Sequence, residues 1–305
     1  MLRLLSIMLL AGSLGTLSAC QAIPPVRKVP AWQSSPGHEQ ADVGVIRDLS
    51  SGRELTPQQL AERLAQAPRV LVGEQHDNPD HHALQLWLLQ VLADQRAQGS
   101  LLLEMLTPDQ QAKVDAVQAE VRKSDIPDDL PAALAWQKGW DWALYGPVVR
   151  YALGQPYPLL SANLDASDVT AIYTQAPTLT GVYSTAPAVR EQLLNQIRES
   201  HCGLLPEEHM PAMLAVQQRR DRRMAQRLLE APSPALLFAG TYHARKDMGV
   251  PTHLLDLGVS HGTVVLLLAQ VGAPVSQGAA DYVWYTPALP EQDYCAQWRA
   301  QPKKP

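Results

Sequence analysis

Glu74, His76, Glu104 and His243 are the side chains on which acid–base or metal chemistry could be built, and Tyr145 and Tyr242 are phenols that could join them. Glu74 and His76 stand in Gly73-Glu74-Gln75-His76-Asp77, Glu104 follows Leu101-Leu102-Leu103, and His243 ends Gly240-Thr241-Tyr242-His243. Carboxylates beside imidazoles transfer protons near neutral pH or hold a divalent metal. The close-spaced ligand pairs that mark a zinc site do not accompany them. Trp136, Trp140 and Trp142, crowded just before Tyr145, suggest a second chemistry. A flat apolar surface beside a phenol is what a porphyrin requires, because a phenolate is a suitable hard ligand for ferric iron, as in catalase. Tyr145 and Tyr242 both qualify, and spacing does not separate them.

These residues work together only if the fold gathers them. Five apolar runs read as buried strands, at 69–73, 100–104, 157–162, 235–239 and 263–269. Continuous apolar strands alternating with helices predict a mostly parallel sheet covered on both faces, an α/β fold flanked by helices. Asn78-Pro79 opens a helix reaching about Gln95, and further helices are expected over 107–121, 187–199 and 210–230, the first two with a proline near the start. Segments around 123–150 and 170–211 are expected as an inserted helical subdomain that caps the ligand crevice. Ligands of a parallel sheet bind beyond the carboxyl ends of its strands. Glu74, His76, Glu104 and His243 fall at such ends, together with Asn163 and Asp165, and so should share one rim. His81 and His82 lie in the first turn after Pro79, His82 on a partly exposed helix face. Gln217 and Asp221 interrupt the apolar stripe of the 210–230 helix, and a carboxylate there needs a partner: Arg245, a rim histidine or an arginine of the same helix.

Among the 305 residues 46% are hydrophobic and 18% charged, with a formal charge of -5. That balance supports a sizeable core and excludes the basic excess of a nucleic-acid-binding chain. Residues 1–19 have the form of a signal peptide, and Leu17-Ser18-Ala19-Cys20 resembles a bacterial lipobox, cleaved before a cysteine that receives lipid. Gln21 after that cysteine implies sorting to the outer membrane. Residues 20–40, rich in Pro, Ser and Gln, read as the lipidated cysteine and a tether. A single domain follows over 41–295, then a tail over 296–305. No later run is long enough to span a bilayer. Cys202 and Cys295 remain, and in an oxidising periplasm the expectation is a disulfide rather than two free thiols.

At the level of motifs, Val72-Gly-Glu-Gln-His-Asp-Asn-Pro79 with His82 and Gln85, Leu103-Glu-Met105, Trp142-Ala-Leu-Tyr-Gly-Pro147, His201-Cys-Gly-Leu-Leu-Pro206, Gln217-Gln-Arg-Arg-Asp221 and Gly240-Thr-Tyr-His-Ala-Arg-Lys-Asp-Met-Gly-Val-Pro251 together resemble the ChaN-like haem-binding lipoproteins. Ala280-Asp-Tyr-Val-Trp-Tyr-Thr-Pro287 extends the likeness, which covers roughly residues 42–295. The resemblance implies iron-regulated haem uptake, with outer-membrane uptake machinery as a partner. It also implies two haems face to face in a homodimer, each iron bound by a tyrosine. Carried onto this chain, that tyrosine is Tyr145, with Tyr242 second. His76, His243 and His201 would serve propionates or a second axial position. The Gly-Glu-x-His signature is also similar to erythromycin esterases and to the TraB/Tiki metal-dependent proteases. On that alternative Glu74, His76, Glu104 and His243 form a hydrolytic or metal site, where the leading expectation is a non-enzymatic haem binder.

Overall fold

A computed structural model describes residues 27–300. The expected signal peptide, Cys20 and the first part of the tether lie outside these residues, as does the end of the tail. The strands are β1 (Ile46–Asp48), β2 (Glu54–Leu55), β3 (Arg69–Glu74), β4 (Ser100–Leu103), β5 (Leu159–Ser161), β6 (Ala235–Gly240), β7 (Thr263–Gln270) and β8 (Tyr282–Thr286). They form one sheet in the order β2-β1-β8-β7-β3-β6-β4-β5. From β8 to β5 every pairing is parallel, and β1 and β2 add an antiparallel hairpin at the β8 edge. The five expected strands form the centre and one end of this sheet. The short hairpin and β8 go beyond the sequence expectation.

Helices α1 (Pro57–Ala65), α2 (Pro79–Ala93), α3 (Gln111–Val121), α4 (Leu130–Ala133) and α5 (Trp142–Leu153) precede β5 or its neighbours in the chain. Between β5 and β6 come α6 (Ala166–Thr174), α7 (Pro187–Ser200) and α8 (Met210–Glu230). Short helices α9 (Thr241–Ala244) and α10 (Val250–Asp256) link β6 to β7, and α11 (Tyr294–Ala300) follows β8.

Alternation along each strand fills two cores. Val70, Val72, Leu236, Phe238 and Leu266 turn to the face roofed by α1, α2, α3 and α5. Leu71, Leu237, Ala239 and Leu267 turn to the face covered by α8, α9 and α10. Both faces being dry, no polar position interrupts the strands, which is why they read as continuous apolar runs. Fully burying one such Leu or Val contributes about 1.5–3 kcal/mol. A third cluster joins α7 to α8 through Val189, Leu193, Ile197, Met210 and Leu214, so this part of the 170–211 segment packs on a helix and not on the sheet.

The second half of the expected tether is not a free linker. Gln33 and Ser34 donate their backbone N–H groups to the buried Asp80 carboxylate at 2.6 and 3.0 Å. The Arg27 guanidinium meets Asp94 at 2.5 Å, and Val29 and Trp32 pack against the core. The chain is thus docked along α2 from Arg27 onward. Among the described residues no helix is long and apolar enough to cross a membrane.

Candidate functional site at the strand-end rim

The carboxyl ends of β3, β6 and β4 lie side by side, because Glu74 is in register with Gly240 and Leu103 with Phe238. Glu74 is the last residue of β3 and Glu104 follows β4 directly; both are buried. Both acids thus lie at neighbouring strand ends, and both histidines reach them.

His76 Nδ1 donates to Glu74 Oε1 at 2.6 Å, while the His76 side chain as a whole remains 43% exposed. Its ring also lies against the end of β6, where Gly240 leaves the room. A Cβ on Gly240 would stand 2.9 Å from His76 Cε1 and 3.6 Å from Glu104 Oε2. Burial works against the charged ring. The hydrogen bond to Glu74 and the fields of Glu74, Glu104 and Asp77 outweigh it, and the His76 pKa is pushed up to about 9.

On the far side of Glu104, His243 sits between two acids. Its Nδ1 donates to Asp221 Oδ1 at 2.6 Å, and its Nε2 faces Glu104 Oε1 at 3.4 Å. Glu104 Oε2 accepts the Gly240 backbone N–H at 2.7 Å. Although burial opposes it, the paired acids raise the His243 pKa; the two imidazoliums and the Gly240 N–H hold Glu104 below the usual carboxylate range against its own burial. Asp221 is thus the acid of α8 that needed a partner, and that partner is a rim histidine. Arg245 pairs instead with Asp247.

Tyr145 enters from α5, which Asp141 caps through the Ala143 N–H. Its hydroxyl donates to Glu74 Oε1 at 3.1 Å and lies 3.1 Å from His76 Nδ1. The ring is 2% exposed, walled by His82 at 4.3 Å, Trp140 at 5.8 Å and Trp136 at 6.1 Å between centroids. Trp140 in turn stands edge-on to His76 at 4.9 Å. Burial first, then the neighbouring carboxylates, drives the phenol's pKa far above its ordinary value. Tyr242, on α9, is 43% exposed. The other oxygen of Glu74, Oε2, is buried with no hydrogen-bond partner.

Behind these groups, His81 and His82 hold the 74–77 loop. His81 accepts the Gln75 N–H at Nδ1 (2.9 Å), and burial lowers its pKa to about 3, so it stays neutral. His82 donates to the His76 carbonyl at 3.0 Å. The expected half-exposed position of His82 is therefore wrong: the α5 insertion covers that helix face and leaves the ring 3% exposed. Asn163 donates to the Glu104 carbonyl at 2.9 Å, whereas Asp165 caps α6. His201 ends α7 beside Cys202, which is bonded to Cys295 with Cα atoms 5.4 Å apart. Next to that bridge Tyr294 donates to Asp77 at 2.5 Å.

The arrangement can hold and relay protons, and it encloses a hard oxygen donor, the Tyr145 hydroxyl, within aromatic rings. The four residues of the hydrolase alternative do converge, but among the described residues no group of three or more His, Cys, Asp or Glu is arranged to hold a metal ion. The donor set does suit a ferric porphyrin: a phenol already hydrogen-bonded to a carboxylate that can take its proton, with flat indole surfaces beside it. The Tyr145 hydroxyl is covered in this structure, the residue being 2% exposed.

A sequence profile for the family described as haem-binding uptake, Tiki superfamily, ChaN matches residues 60–254. ChaN of Campylobacter jejuni, solved with cofacial haem binding, is 32% identical over 79% of this chain and 95% of its own, with a TM-score of 0.73. A mutant of the erythromycin esterase EreC, in its open conformation, is 14% identical over 83% of this chain and 85% of its own, with a TM-score of 0.43. No curated protein matches the chain by sequence.

Proposed function

The chain belongs to the ChaN family of haem-binding uptake proteins, and from that premise we propose that it is a lipid-anchored haem-binding protein of iron acquisition at the outer membrane. Haem would be held at the rim with Tyr145 as the iron ligand, in a homodimer whose two haems face each other. The observation that carries this reading is the hydrogen bond from Tyr145 to Glu74 within the tryptophan wall. Bound ferric haem supplies a hard Lewis-acidic iron. For the phenol to serve as a phenolate, its proton must leave, and Glu74 is in place to accept it. With Glu74 neutralised by that proton, the charged His76 ring would be available to pair with a haem propionate. His243, charged between its two acids, could serve only as a propionate partner on this reading, with His201 as a further propionate or axial partner and Tyr242 as the second phenol. The disulfide and the lipobox support an oxidising, envelope location.

The hydrolase alternative draws less support from the geometry. An imidazole kept charged between Asp221 and Glu104 is a poor general base, because it has no free lone pair to accept a proton.

A hemin titration followed by absorption tests the proposal. A shifted Soret band with a tyrosinate charge-transfer band is expected, lost in Tyr145→Phe and retained in Tyr242→Phe. Sedimentation should show two chains per complex with hemin. Absence of any Soret shift rejects haem binding, and an unchanged band in Tyr145→Phe rejects the ligand.

A further inference from the structure

Away from the rim, α8 carries a second set of cations. Arg219, Arg222, Arg223 and Gln226 recur at i, i+3, i+4 and i+7, which puts them on one helix face, while Asp221 turns to His243. That face lines an open cleft of about 560 Å³ against α6, whose other wall includes Leu164, Ala171 and Ile172. Among the described residues the three guanidiniums make no hydrogen bond or ion pair; Asp168 is the one acid lining the cleft, and the Arg223 charge reaches Asp165 at the start of α6, so the cleft carries a net positive charge.

An adjoining recess of about 130 Å³ shares Arg219, Arg222 and Gln226, and His253 of α10 lines it. His253 is 3% exposed, and neither of its ring nitrogens has a hydrogen-bond partner. Burying two unpartnered polar atoms is costly, and an imidazole kept dry by a core would have no reason to face a cavity lined by arginines. The recess is large enough for an oxyanion head group, and the cleft outside it for an apolar body. Arginine forks match carboxylate and phosphate oxygens. We propose that the α6–α8 cleft is a binding site for an amphipathic organic anion, its carboxylate or phosphate head set between Arg222 and His253 and its apolar part lying along Ile172 and Leu164. This site is independent of the haem reading and uses none of the rim residues.

Calorimetric titrations of the full soluble chain with octanoate and with octyl phosphate test it, with octanol and inorganic phosphate as the headless and tailless controls. One saturable site is expected for at least one of the amphiphiles, at least about tenfold tighter than for either control, since a charge-assisted hydrogen bond is worth an order of magnitude or more. The tighter of the two identifies the head group. Arg222→Gln and His253→Phe should each weaken it about tenfold or more, on the same grounds. In the wild-type chain the His253 ring resonances should shift on saturation, a readout that needs no variant. The hemin Soret titration of both variants should match the wild type. No saturable binding of either amphiphile, equal binding of the controls, or unmoved His253 resonances would overturn the proposal.

Discussion

Replacing Asp221 by asparagine removes one charge from a buried row without altering its shape. His243 donates to Asp221 at 2.6 Å and faces Glu104 at 3.4 Å, and all three residues are buried. A hydrogen bond to a charged group contributes about 1.5–3 kcal/mol net. An asparagine oxygen still accepts from His243, so the loss should be the charge-assisted remainder, about 1 kcal/mol near pH 6. For a domain of this size that lowers the Tm by about 2–4 °C. The pH dependence supplies a second check. The folded pKa of His243 is raised from 6.5 chiefly by Glu104 and Asp221, against the effect of burial. Its contribution is therefore fully present below pH 6.5 and is lost as pH rises through the raised folded value. Urea unfolding of wild type and Asp221→Asn, at pH 6 and at alkaline pH, measures the margin between them. An equal midpoint at pH 6, or a margin that widens toward alkaline pH, would refute the reasoning.

Two further outcomes follow from the same geometry. The His76 imidazole should titrate near pH 9 in side-chain NMR, charged below and neutral above, and Glu74→Gln should return it toward 6.5; an ordinary value in the wild type would contradict the Glu74–His76 bond. Removing the bridge with Cys202→Ser and Cys295→Ser frees a loop spanning their separation of 93 residues, and should cost about 4–5 kcal/mol in urea unfolding. A cost under about 1 kcal/mol would show that the pair is reduced in the protein tested.

The central strands were legible because each is apolar on both faces, a pattern that only a doubly covered sheet explains. Strands β1 and β2 were not, being two or three residues long with charged Arg47, Asp48 and Glu54 among them. Strand β8 carries a usable signal in Tyr282-Val283-Trp284-Tyr285-Thr286, β-branched and aromatic throughout. Within the site, the convergence of Glu74, His76, Glu104 and His243 followed from strand ends alone. Asp221 could be found because a carboxylate broke an apolar stripe, although its partner could not be chosen. The bond between Tyr145 and Glu74 was out of reach. It depends on how α5 lies across α2, and nothing in the pattern of residues 142–153 says which face meets the rim. For the same reason the burial of His82 could not be read from α2 alone.

The docking of the chain at Arg27 sets the length of any leash. Were Cys20 the point of lipid attachment, only seven peptide steps would separate it from the Arg27–Asp94 pair. At full stretch such a span reaches about 25 Å. The body would then ride close over the bilayer with its α2 flank toward the lipid, unable to sample the width of the envelope as a protein on a long stalk does. A donor or acceptor of cargo would have to come to that surface, and the direction in which the rim opens relative to α2 would decide which of them can approach.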